Sequence, residues 1–326
     1  MPKSNRKANK EKWQTPFEPP HSYYRITEVP TKLLPLANDY WLTLVANSSK
    51  NRKFKGTTLN KNAPIGIFDS GIGGLTIVRE LKKILPNEDI IYLGDTARVP
   101  YGTKSPEVIT RFAFEDTRFL INRKVKLIIV ACHSVSSVCL PELQKNFSVP
   151  ILGVIEPGAR AALKATKNRR IGVIGTQATI TAGTYERVIR ALTKNDVEII
   201  AKSTPLFVPL VEEGWLDNEI ALLVAETYLR SFRNEGVDTL LLGCTHYPLL
   251  KGVIQKVLNN VTLIDAAAAT AYEAKKVLTK LGLLITKKRK PEYRFYLSDL
   301  TPNFTEVSKQ FLGEPISYCF KATIAG

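Results

Sequence analysis

The chain has 326 residues, 44% of them hydrophobic and 23% charged, which excludes a small disulfide-stapled scaffold, a collagen-like repeat and a wholly disordered chain. Its four cysteines, Cys132, Cys139, Cys244 and Cys319, are few and irregularly spaced with no secretory apolar core ahead of them, so they read as reduced thiols of a cytoplasmic protein. The net charge of +16, from 46 Lys and Arg against 30 Asp and Glu, would suit nucleic acid, yet half of the excess sits in residues 1–63 and the rest shows neither a basic stripe nor a recognition motif, so nucleic acid is not expected as the main partner.

In chain order, residues 1–63 read as a basic, weakly structured extension, with twelve basic side chains against four acidic ones and a proline-rich stretch at 16–20. Within it, Leu33 to Ala46 is fairly apolar but is interrupted by Pro35, Asn38 and Asp39, too short and polar for a membrane span, and no membrane partner is expected. From Pro64 onward, short apolar runs alternate with amphipathic stretches, the pattern of βα units around parallel sheets. Strands are predicted at 64–68, 89–93, 125–131, 150–154, 170–174, 197–201, 237–242 and 261–264. Helices are predicted over Leu75 to Leu85 and Glu219 to Asn234, where apolar residues recur near the 3.6 period. Eight strands are many for one sheet. The fold class is therefore α/β, with two doubly wound parallel-sheet domains facing each other across an active-site cleft.

In open parallel sheets ligands bind beyond the carboxyl ends of the strands, so the residues after each apolar run carry the functional reading. The turn Asp69-Ser70-Gly71-Ile72-Gly73-Gly74 lacks the lysine of a phosphate loop and has the wrong spacing for a dinucleotide fingerprint, so alone it is a strand-to-helix turn able to approach an anion. Two further turns match each other: Val130-Ala131-Cys132-His133-Ser134 and Leu242-Gly243-Cys244-Thr245-His246. A thiol there meets the positive end of a helix dipole, which favours the thiolate and makes it a candidate base or nucleophile. One such cysteine reads as a buried small hydrophobe; two in equivalent turns point to function. Cys139 and Cys319 are assigned to the core. Cys132, His133, Cys244 and His246 form a nominal zinc set, but adjacent Cys132 and His133 do not converge as zinc ligands do, and no metal is expected.

Together with Gly94-Asp95-Thr96-Ala97-Arg98-Val99-Pro100-Tyr101-Gly102, Phe207-Val208-Pro209-Leu210-Val211-Glu212 and Thr245-His246-Tyr247-Pro248, these turns resemble those of the glutamate racemases of the aspartate and glutamate racemase superfamily, from about Pro64 to the C-terminus. The resemblance implies a cofactor-independent enzyme that interconverts L- and D-glutamate by two-thiol proton transfer and supplies D-glutamate for peptidoglycan. Alternatives are a racemase of aspartate or a related acidic amino acid, and a non-catalytic protein that binds through its basic extension. By the same resemblance, Cys132 deprotonates D-glutamate and Cys244 L-glutamate, assisted by Asp69, Glu212 and His246. Substrate contacts are expected from Asp69, Ser70, Tyr101, Gly102, His133, Ser134, Thr179, Thr245 and His246. The first α/β domain is expected to comprise 64–156 plus 266–326 and the second 157–265, in a homodimer. Departures from the family pattern are Thr204-Pro205 for Cys-Pro, Ala266 for serine, and His133-Ser134 for Asn-Thr. His133 is expected to titrate between roughly pH 6 and 8, as an unperturbed imidazole would, and to favour the Cys132 thiolate when charged.

Overall fold

Each predicted apolar run becomes a strand because a chain with both faces covered by helices must be apolar on both faces. The computed structural model describes residues 53–54, 57–193, 196–300 and 304–324, all within one compact unit, Lys32–Gly326. Two short strands, β1 (Lys53–Phe54) and β2 (Thr57–Thr58), pair antiparallel. Then follow β3 (Ile65–Asp69), β4 (Ile90–Gly94), β5 (Leu127–Val130), β6 (Ile151–Gly153), β7 (Arg170–Gly175), β8 (Glu198–Ser203), β9 (Thr239–Gly243), β10 (Thr262–Ile264), β11 (Tyr293–Leu297) and β12 (Phe320–Lys321). The predicted helices form at Leu75–Ile84 and Glu219–Asn234.

The strands build two parallel sheets, as expected of two α/β domains. One has the order β12-β11-β4-β3-β5-β6 and the other β10-β9-β7-β8. Both repeat one plan: the first strand of each, β3 or β7, lies between its second and third, so the chain reverses direction across the sheet beside it. Crevices open at such switch points, here between β3 and β5 and between β7 and β9. The two cysteine turns leave β5 and β9, the third strand of each sheet. Strands β11 and β12 were not predicted. Tyr-Arg-Phe-Tyr-Leu carries a charge at its second position and no continuous apolar run, and it is held by pairing with β4.

Of the stretch read as an extension, residues 1–52, with the apolar segment at 33–46, lie outside the described residues. Its last residues pack on the core, where Leu59 and Ala63 are buried. Among the described residues no helix is long and apolar enough to cross a membrane. All four cysteines are free; Cys139 is buried in the core and Cys319 packs against it.

At the amino ends of the first sheet's strands lies a buried ion pair that the apolar pattern did not reveal. Lys126 Nζ donates to Glu88 Oε2 at 2.5 Å and to the carbonyls of Lys61 at 2.7 Å and Leu283 at 3.0 Å, while Glu88 Oε1 accepts from the Ile285 N–H at 2.8 Å. Both side chains are wholly buried. Burial lowers the Lys126 pKa against the pull of Glu88. Four chain segments thus meet at one cation. Lys126→Met is expected to destabilise the protein by about 3–5 kcal/mol, because it strands the Glu88 carboxylate, and Lys126→Met with Glu88→Gln by clearly less. Urea unfolding of the three proteins checks this.

Candidate functional site

The first crevice is built from the ends of β3 and β5. Asp69 ends β3 and is wholly buried; its Oδ2 accepts the N–H groups of Gly74 at 3.0 Å and Gly71 at 3.3 Å, which opens the helix Leu75–Ile84. Its Oδ1 is buried without a hydrogen-bond partner. Burial raises the Asp69 pKa, opposed by the charge of His246 and by the N–H donors. Ser70 Oγ lies 3.6 Å from Cys132 Sγ. Cys132 occupies the N-cap of the helix His133–Val138. The expected preference for thiolate is not met there: burial, reinforced by the Asp69 carboxylate, pushes the thiol up to about 12 despite an N–H from Val135. A six-residue helix offers too little dipole to offset full desolvation.

The second crevice has the opposite electrostatics. Cys244 Sγ lies 3.8 Å from His246 Nδ1, and His246 Nε2 lies 3.4 Å from Glu212 Oε1 at the end of the helix Phe207–Glu212. The Glu212 contact has ion-pair distance without hydrogen-bond alignment. Burial alone would lower the His246 pKa, but Cys244 and Glu212 outweigh it and raise it to about 10. An imidazolium therefore stands beside one thiol and a carboxyl group beside the other. Phe311, from the C-terminal helix Phe304–Leu312, meets the His246 ring edge-on at 5.4 Å.

Both sulfurs line one cavity of about 20 Å³. Of the predicted site residues, Ser70, Tyr101, Gly102, Cys132, His133, Ser134, Cys244, Thr245 and His246 line it. Asp69, Glu212 and Thr179 stand behind the wall, each next to a lining residue. Four lining residues were not among the expected site residues: Val99, Pro100 and Val208, which lie in the quoted motifs, and Thr176. Thr176 follows β7 as Ser70 follows β3, so the strand-end rule could have found it. Its Oγ1 is 2.9 Å from Ser134 Oγ and 3.0 Å from Thr179 Oγ1, a hydroxyl chain across the two sheets.

Tyr101 lines the cavity as a residue, while its hydroxyl lies within hydrogen-bond reach of the carboxylates of Asp95 and Asp116. One expectation needs correction. His133 does not titrate near neutrality. Its ring is buried beside Tyr185, with centroids 6.2 Å apart, and neither nitrogen has a hydrogen-bond partner. Burial pushes its pKa down to about 3, with only Asp265 opposing, so it is a neutral part of the wall that cannot stabilise a Cys132 thiolate by charge.

Residues 73–274 match the family model described as Asp/Glu/Hydantoin racemase. The chain is 48% identical over 261 residues to the glutamate racemase of Geobacter metallireducens, covering 80% of this chain and 96% of the relative. With that of Chlorobaculum tepidum it shares 47% over 257 residues, covering 78% and 94%. Among solved structures, glutamate racemase from Francisella tularensis in complex with D-glutamate superposes with a TM-score of 0.77 at 41% identity, covering 81% of this chain and 99% of that one. The Bacillus anthracis enzyme matches with the same TM-score at 38% identity, with the same coverage.

The chain has three histidines, and the environments of His133 and His246 separate them. In an NMR titration His133 is expected to stay neutral down to about pH 3 and His246 to stay charged up to about pH 10. Since the folded His133 pKa is depressed, its contribution to stability is present above the unfolded value and is lost as the pH falls towards about 3. The His133→Asn protein is expected to lose less stability than the wild type over that acidic range.

Proposed function

This chain belongs to the Asp/Glu/hydantoin racemase family and racemises glutamate, and we propose that Cys132 and Cys244 are its two proton-transfer groups. The observation that supports this is the convergence of two thiols, from corresponding turns of two different sheets, on one cavity. Inverting a stereocentre through a planar carbanion requires one acid–base group on each face. From L-glutamate, the Cys244 thiolate takes the α-proton and the Cys132 thiol gives its own to the opposite face; from D-glutamate the roles reverse. Each turnover leaves one thiol and one thiolate, so protons balance. The His246 cation, held by Glu212, favours negative charge on the Cys244 side, while Asp69 is placed to hold or pass a proton near Cys132. Hydroxyls of Ser70, Ser134, Thr176 and Thr245 line the space for the substrate carboxylates and ammonium.

The walls interlock closely. A Cβ at Gly73 would lie 2.3 Å from Thr245 Oγ1, and one at Gly102 would lie 2.5 Å from Thr176 Cβ. In this reading residues 64–156 with 266–326 form one lobe and 157–265 the other. The enzyme works as a cytoplasmic homodimer, and its D-glutamate serves peptidoglycan synthesis.

Circular dichroism of L-glutamate with purified protein is expected to decay towards zero as the racemate forms. Cys132→Ala and Cys244→Ala are each expected to lower kcat by about a thousandfold or more. Full activity in the double variant would sink the assignment, and faster loss of signal with L-aspartate than with L-glutamate would move it to the other acidic amino acid.

A further inference from the structure

The Pro100-Tyr101-Gly102 turn walls the cavity, but the Tyr101 hydroxyl reaches a cluster of charged side chains outside it: Asp95, Arg98, Glu115 and Asp116. Arg98 Nε donates to Asp95 Oδ2 at 2.5 Å, its Nη2 to Asp116 Oδ1 at 3.3 Å and its Nη1 to Glu115. Ser298 Oγ donates to Asp95 Oδ1 at 2.8 Å. The Tyr101 Oη touches Asp95 Oδ2 closely and lies 3.0 Å from Asp116 Oδ2. A phenol has one proton to donate. Asp95, the nearer carboxylate, receives it and so accepts three hydrogen bonds. The Asp116 contact is then a hydrogen bond only if Asp116 brings a proton of its own and the Tyr101 oxygen accepts it. Three ionised carboxylates around one guanidinium would also leave two uncompensated charges where Asp95 and Asp116 are wholly buried.

We propose that Asp116 is a positioning residue of the racemase site: it holds a proton, donates it to Tyr101 Oη, and with Asp95 clamps the turn that walls the substrate cavity. This rests on reading that cavity as the glutamate site. Burial and the Asp95 charge raise the Asp116 pKa well above the carboxylate range, Arg98 and the Tyr101 hydrogen bond oppose them, and Glu115 adds to the rise. The clamp matters because Gly102 is seated against Thr176 with no room for a Cβ, and Thr176 in turn holds Ser134. An ionised Asp116 would set a second carboxylate against one phenol oxygen and push the turn off that seat.

Asp116→Asn keeps a donor for Tyr101 and an acceptor for Arg98 but cannot titrate. Its kcat and KM for glutamate are expected within about twofold of wild type at neutral pH, whereas Asp116→Ala is expected to raise KM about tenfold with a smaller change in kcat. On the alkaline side the wild-type KM is expected to rise as Asp116 ionises, and in Asp116→Asn that part of the rise is absent; the comparison cancels the titration of the glutamate amino group. Independently of turnover, the infrared difference between wild type and Asp116→Asn at neutral pH is expected to show the C=O band of a protonated carboxyl group in the wild type. Absence of that band, superimposable KM profiles, or an Asp116→Asn protein as impaired as Asp116→Ala would overturn the proposal. The band in a protein that does not turn over glutamate would leave the proton on Asp116 standing and overturn the link to the racemase site.

Discussion

Two close approaches hold the two sheets face to face, and the site depends on both. Gly73, from the turn after β3, is seated against Thr245 and His246, and Gly102 against Thr176; any side chain at either position would overlap its neighbour. Because both sheets use the same strand order, their switch points are equivalent, and the interlocking turns bring one switch point against the other. The residues that close the cavity come from both sides of this contact. Packing of backbone against side chain at these two glycines leaves the facing turns no room for a side chain between them.

Within that frame the two thiols receive opposite surroundings. Cys132 is buried beside a carboxyl group and remains a thiol, while Cys244 is buried beside an imidazole that Glu212 and the sulfur itself keep charged. Desolvation is the largest influence on Cys132 and on His246; at His246 the neighbouring sulfur and Glu212 outweigh it, and at Cys132 the Asp69 carboxylate adds to it. A reaction that takes a proton on one face and returns one on the other uses two acid–base groups in different surroundings. The cysteine turns look alike in sequence; the difference comes from Asp69 and Ser70 on one side and from Glu212 and His246 on the other.

The first sheet carries buried charge at both ends of its strands. At the amino ends Lys126 and Glu88 tie together segments that are far apart in the chain. At the carboxyl ends Arg98 binds Asp95, Glu115 and Asp116 behind the Pro100-Tyr101-Gly102 wall. Buried ions are costly unless fully paired, so each cluster tolerates few alternative arrangements. The lower one orders the entry of the strands, and the upper one orders a wall of the cavity.

The sequence by itself determined the local features: apolar runs long enough for buried parallel strands, small residues that end them, and the cysteines, hydroxyls and glycines placed just after them. The rule that sites lie beyond strand ends was enough to single out the turns that carry Asp69, Cys132 and Cys244, while site roles for Asp69, Ser70 and His246 came from the resemblance to the racemases. The rule applied equally to Thr176, which lacks an adjacent cysteine or glycine cluster to draw attention. Strand β11 was hidden by its charged and aromatic pattern, because its stability comes from pairing with β4 rather than from a continuous apolar run. Tertiary structure alone decided that His133 is neutral, that Cys132 stays protonated, and that the Tyr101 hydroxyl serves Asp95 and Asp116 instead of the cavity. Periodicity and turn chemistry depend on neighbours along the chain. Protonation and the direction of a side chain depend on desolvation and on charges brought together from distant segments, which exist only once both sheets have packed.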